Sequence, residues 1–188
     1  MNRATLTGLS SLWIAFGATA GLACPEVSET DPLHNELMEQ VRVAPDARSA
    51  QLLTNQLWEI WAKAPDAHSQ DLLDAGIERR SVFDLDAAMA AFDALVGYCP
   101  TYAEGYNQRA FVLFIRQDYE PALKDLDRAL ARAPDHLGAL TGRAMALMAL
   151  GRDVEALQDL KSALSLNPWL KERDLVPVLE GRISDSEL

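Results

Sequence analysis

The side chains able to do chemistry are few and scattered. The chain has two cysteines, Cys24 and Cys99, and three histidines, His34, His68 and His136, which fall near helix starts or turns. Such a set cannot supply a four-ligand zinc site. No glycine-rich phosphate loop, H-E-x-x-H, G-x-S-x-G or paired-cysteine metal spacing occurs. The residues therefore make no catalytic constellation, metal centre or cofactor site, and each histidine reads as a surface or capping residue. Thiol oxidation is the one reaction that stands out. Cys24 and Cys99 are the only intramolecular pair, and a bond between them would close a loop of about 75 residues. The lead Pro25–Thr30 gives Cys24 the reach to find Cys99 at the end of its helix. Two free thiols, or a lipidated Cys24, are the alternatives.

The charge balance excludes whole classes of partner. Asp and Glu number 28 against 17 Lys and Arg, a net charge of −11. That field repels nucleic acid and anionic membranes, so neither is an expected partner. With 49% apolar and 24% charged residues, the composition is that of a globular domain or a short repeat array. The carboxylates read as solvated helix exteriors and as N-caps, Asp84 and Asp135 among them.

The first segment reads as an address. Arg3 opens it, an apolar stretch runs from Leu9 to Ala20, and Gly21-Leu22-Ala23 places small residues at −3 and −1 of a cut before Cys24. These are the parts of a secretory signal peptide, residues 1–23, and the short basic lead looks bacterial. The expectation is export to the periplasm, with no membrane span after cleavage. An uncut N-terminal anchor and a lipidated Cys24 are the alternatives.

The rest of the chain is organised by a period of 34 residues. Ala88, Ala122 and Ala156 fall in one column. Leu95, Ala129 and Ala163 form a second, and Phe92, Leu126 and Leu160 a third. Pro100, Pro134 and Pro168, and Gly76, Ala110 and Ala144, complete five columns in one register. Each period reads as two helices. In the middle copy these run from about Tyr102 to Arg116 and from about Tyr119 to Arg132. The second carries the apolar stripe Ala122, Leu123, Leu126, Ala129, Leu130 at helical spacing. One such pair cannot cover its own apolar face, so neighbours must stack.

Ser69–Tyr102, Ala103–His136 and Leu137–Leu170 resemble the tetratricopeptide repeat family. The middle copy matches best, with Tyr106, Ala110, Ala122, Leu126, Ala129 and Pro134 at the family's positions. The resemblance implies an all-α, right-handed α-solenoid of stacked antiparallel hairpins. Before it, residues 24–68 read as a lead segment and a degenerate fourth hairpin. Its helices begin at Asp31-Pro32 and at Ala47, and Trp58 and Trp61 share one flank of the second. The two tryptophans are expected to pack inside that hairpin, with an exposed docking patch as the alternative. Residues 171–188 read as a capping helix and tail.

The resemblance also implies a site. In this family the first helices of successive repeats line a concave groove. The groove positions fall here on Arg80, Glu104, Asn107, Gln108, Phe111, Phe114, Thr141, Met145 and Met148. Phe111, Phe114, Met145 and Met148 would form a soft apolar strip, and Asn107 and Gln108 could grip a peptide backbone. The alternative is that part of this strip packs under the capping helix. The sequence departs from the family at position 7, usually Leu, where Arg109 and Arg143 stand. Position 23 of the same units holds Asp125 and Asp159, which predicts cross-helix pairs Arg109–Asp125 and Arg143–Asp159. The functional expectation is a non-enzymatic adaptor or assembly factor that binds another protein or a peptide. The alternative is a structural subunit of an envelope complex, docking through its first hairpin or its cap.

Overall fold

The computed structural model describes residues 23–26 and 32–186. The expected signal segment, Ala23 apart, lies outside the described residues, as do Asp31 and the last two residues of the tail. All regular structure among the described residues is helical. The helices are α1 (Pro32–Arg42), α2 (Ala47–Trp61), α3 (Ala67–Ser81), α4 (Leu85–Tyr98), α5 (Ala103–Ile115), α6 (Tyr119–Leu130), α7 (Leu137–Ala149), α8 (Asp153–Leu166) and α9 (Val176–Ser186). A 3-10 turn, Lys171–Leu175, precedes α9.

Local chemistry sets the helix starts. The Asp46 carboxylate accepts from the Ser49 amide and caps α2, and Asp66 with Ser69 forms a reciprocal capping box on α3. Asp84 caps α4 as expected. The cap of α7 is His136, not Asp135; Asp135 instead faces His34 at 3.7 Å. Within each of the three repeat hairpins, α3–α4, α5–α6 and α7–α8, the two helices are joined by a tight turn whose central residue is left-handed. Phe83, Gln117 and Gly151 have φ of 60, 65 and 72°. They occupy one repeat column, so the turn recurs even where glycine does not.

The helices α3–α4, α5–α6 and α7–α8 pair as hairpins and stack in order, with α9 closing the end on α8. The columns read from the sequence are the core. Ala88, Ala122 and Ala156 are fully buried, as are Phe92, Leu126 and Leu160. Small residues at the crossing let the helices approach. A Cβ on Gly76 would come within 2.3 Å of the Phe92 ring.

The first hairpin forms, but it does not continue the stack. Its apolar face, Leu37, Met38, Val41, Leu57 and Trp61, is turned to Leu137, with Leu166 and Leu170 beside it. It lies as a strap across three junctions, the two between repeats and the one between the last repeat and the cap. At the first, the Tyr102 hydroxyl donates to the Trp61 carbonyl at 2.6 Å, and burial pushes that phenol's pKa well up. At the second, His136 stacks on Trp61, centroids 4.4 Å apart. At the third, the Asn167 amide donates to Thr54 Oγ1, and the Trp169 indole donates to the Ala44 carbonyl. Tyr102, His136 and Leu170 share one 34-residue column, so the strap reads the repeat at the same position three times. Cys24, ahead of α1, is joined by a disulfide to Cys99 at the C-cap of α4, with Cα atoms 5.1 Å apart.

Candidate functional site: the concave face

The expected groove residues divide into a closed half and an open half. The closed half lies under the strap. Glu104 is 2% exposed, and Asn107 is buried with it. The Glu104 carboxylate accepts from Asn107 Nδ2 at 2.9 Å, from Gln108 Nε2 and from His136 Nε2 at 2.8 Å. The Ala139 amide donates to His136 Nδ1 at 3.2 Å, so the ring proton sits on Nε2 and points at Glu104. His136 is fully buried, against its expected surface position. A carboxylate with this many donors is satisfied internally, so Glu104 and Asn107 do not face an open groove. Trp58 closes the same end. Its ring sits in the notch left by Gly138, where a Cβ would meet it at 2.4 Å. Trp58 and Trp61 contact each other and His136.

The open half lies toward the C-terminal ends of α3, α5 and α7. Phe111 is 49% exposed and Met145 is 38% exposed, at the same position of successive repeats. Phe114 and Met148 are half-buried and lean on the core; Phe114 meets the Tyr119 ring edge-on. Thr141 Oγ1 donates to the Leu137 carbonyl one turn back. Arg80 projects from the end of α3. Its guanidinium lies 4.6 Å over the Phe111 ring and donates from Nη1 to Gln108 Oε1. Burial pulls its pKa down, against the attraction of Glu104.

The departure at position 7 produces ion pairs on the opposite side of α5 and α7. Arg109 is bidentate to Asp125, and Arg143 to Asp159, as the repeat positions predict. Each arginine also reaches back to the preceding unit, Arg109 to Asp93 and Arg143 to Asp127, both at 2.8 Å. The choice of positions 7 and 23 does not include these second acids, although they too stand one repeat apart. The carboxylate bonds hold both guanidinium pKa values above their ordinary range, Asp125 acting on Arg109 and Asp159 on Arg143. Among the described residues, no cluster of three or more His, Cys, Asp or Glu could hold a metal ion. No helix among them is long and apolar enough to cross a membrane.

Comparison with known proteins agrees with the repeat pattern and the fold. The chain is 32% identical over 91 residues to a TPR repeat-containing protein of Rhizobium etli, a match covering 48% of this chain and 40% of that protein. The repeats of this chain are thus similar to tetratricopeptide repeats. It is also 32% identical over 97 residues to tetratricopeptide repeat protein 36 of Bos taurus, covering 50% of this chain and 52% of that one. The matches thus span about half, or less, of those relatives. No family model matches. Among solved structures, the first TPR of Spaghetti (RPAP3) bound to an HSP90 peptide superposes with a TM-score of 0.62 at 21% identity, covering 63% of this chain and 96% of that one. A MamA double mutant superposes with a TM-score of 0.59 at 17% identity, covering 82% and 85%. These likenesses establish an α-solenoid of repeat hairpins.

Proposed function

We propose that the protein is an exported, non-enzymatic adaptor or assembly factor that holds a segment of another protein on the open half of its concave face. One observation carries the reading. Phe111 and Met145 stay exposed at equivalent positions on successive repeats, beside the polar groups of Arg80 and Gln108, while the columns around them are buried. An apolar surface flanked by a few oriented polar groups is the usual form of a peptide site. Repeats of this fold in the Spaghetti structure carry a bound peptide. Export is supported by the signal-like first segment and by the Cys24–Cys99 disulfide, which suits an oxidising compartment. The alternative, docking through the first hairpin, has less support, because Trp58 and Trp61 already pack against His136.

Site-specific photocrosslinking tests the reading. A photoreactive residue at Phe111 or Met145 should trap one and the same protein in the cell envelope. Residues placed at Leu52 on α2 or Val178 on α9 should not. Trapping only from Leu52 or Val178 would instead favour the structural-subunit role. N-terminal sequencing of the envelope protein should begin at Cys24, and a start at Met1 would contradict cleavage.

A further inference from the structure

Two features at the end of α3 have no explanation in folding. The first is Arg80. The chain is strongly acidic and its partly buried arginines Arg109 and Arg143 are matched to carboxylates. Among the described residues, none places a carboxylate within 4.0 Å of Arg80. Its Nη1 is held by Gln108. Its Nε and Nη2 have no partner among the described residues, and neither is among the fully buried unpaired atoms. They form a free two-pronged donor, the geometry a carboxylate fits. Gln108 and the Phe111 ring fix the fork in place, so little freedom is left to lose on binding.

The second is Phe83, three residues on. It is left-handed at φ 60°, in a column where Gln117 and Gly151 take the same conformation with a flexible polar side chain or none. A bulky residue there is strained. Burial returns nothing, since Phe83 is 76% exposed and Val82 beside it is 67% exposed. A strained, exposed aromatic next to an unmatched, preorganised cation has the composition of a binding surface.

We propose that Arg80, Val82, Phe83 and Phe111 recognise an acidic side chain flanked by apolar residues in the partner's segment. This deepens the groove reading and rests on it. Phe111 lies under the fork, and the exposed Val82 and Phe83 follow Arg80 in the chain, so a segment that lays apolar residues on both passes over Arg80 and does not end there. The ligand offers a side-chain carboxylate for that reason, in place of a terminal one. The net charge of −11 argues for a single carboxylate in an apolar setting, because an acidic run would be repelled.

Selection of random 12-residue peptides displayed on phage, against the immobilised oxidised protein, tests this. The peptides have no free C-terminus in that format. The expected result is enrichment of Asp or Glu flanked by aromatic or aliphatic residues. An amidated synthetic copy should bind wild type, and about tenfold more weakly to Arg80→Gln, the loss of one charged hydrogen-bonded contact. Phe83→Gly should weaken the same peptide while raising the melting midpoint, which separates lost contact from lost folding. Enriched peptides without an acid, or equal binding to Arg80→Gln, would overturn the inference and leave the groove reading standing. Binding only by peptides with a free C-terminal carboxylate would overturn it as well. No enrichment of any peptide would count against the groove reading and this inference together.

Discussion

Arg109 and Asp125 meet side on, with Nε and Nη2 of the guanidinium 2.6 and 2.7 Å from the two carboxylate oxygens. Asp125 is buried, and it also accepts from Arg128 at 3.0 Å. Asp93 holds the third nitrogen from the preceding unit, on an exposed carboxylate. The arginine therefore links α5 both to its own partner helix and to the one before it. Removing the two acids should have unequal effects. Asp125→Ala strands a partly buried guanidinium and should destabilise by about 2–3 kcal/mol. Asp93→Ala breaks a solvent-screened contact and should change stability by under about 1 kcal/mol. Urea denaturation of the two variants checks this, and equal losses would mean that the pairs do not differ as their burial implies.

Glycine contacts give a second contrast. A Cβ at Gly76 would lie 2.3 Å from Phe92, whose ring is fully buried and cannot swing away. Gly76→Ala should therefore destabilise by about 1–3 kcal/mol through overpacking. Gly97, in the last turn of α4, has nothing within 4 Å of its added Cβ. Gly97→Ala should stabilise by roughly 0.5 kcal/mol, because alanine favours the helix and loses less freedom on folding. Opposite signs in the shift of the melting midpoint are expected. A neutral Gly76→Ala would refute the close approach of α3 and α4.

The repeat period made most of the stack legible. A column of Ala88, Ala122 and Ala156 can be read without coordinates, because small residues at helix crossings recur at the period of the hairpin. The Arg–Asp pairs were legible for the same reason, since charges one period apart must meet equivalent surroundings. The strap was not. Its contacts join Thr54 to Asn167 and Ala44 to Trp169, more than a hundred residues apart, and no local pattern encodes a pairing of that range. Repeat position places Glu104 and Asn107 on the groove, because it sets which way a side chain points. It does not reveal that Trp58 and Trp61 lie over that end. A weak signal existed in Tyr102, His136 and Leu170, three large residues in a junction column, and in Gly138, a glycine at a groove position.

The capping box of α3 should sense acid. The Ser69 hydroxyl and the Ser69 amide donate to Asp66, and the Tyr98 hydroxyl donates at 2.8 Å, in that order of effect. These bonds hold its pKa below the ordinary value of 3.8. A carboxyl depressed in the folded state contributes stability above its unfolded pKa, and the contribution is lost as pH falls through the folded value. The cap should therefore be intact at neutral pH and fail only below the usual carboxylate range. NMR titration of the Ser69 amide shift should show its transition below that of an unperturbed aspartate. Asp66→Asn, which still caps but does not titrate there, should remove the transition. A Ser69 transition at or above the ordinary carboxylate range would contradict the capping geometry.

The disulfide bears on the strap most directly. The strap is continuous with α3 at one end, through residues 62–66, whereas its other end is fastened by Cys24 to Cys99, 75 residues away in sequence. Closing a loop of that length restricts the unfolded chain by about 4 kcal/mol in the chain-entropy account. Reduction, or Cys99→Ser, should lower the urea midpoint accordingly. The loss should also be uneven. The bonds to Tyr102, Asn167 and Trp169 remain when the tether is cut, so the strap should stay docked but open more often. Hydrogen exchange should quicken first in α1 and α2, while α5 to α8 keep their protection until global unfolding. Trp61, stacked on His136, gives an optical readout of the same opening. An unchanged midpoint with unchanged exchange in α1 and α2 after reduction would show that the tether does not hold the strap.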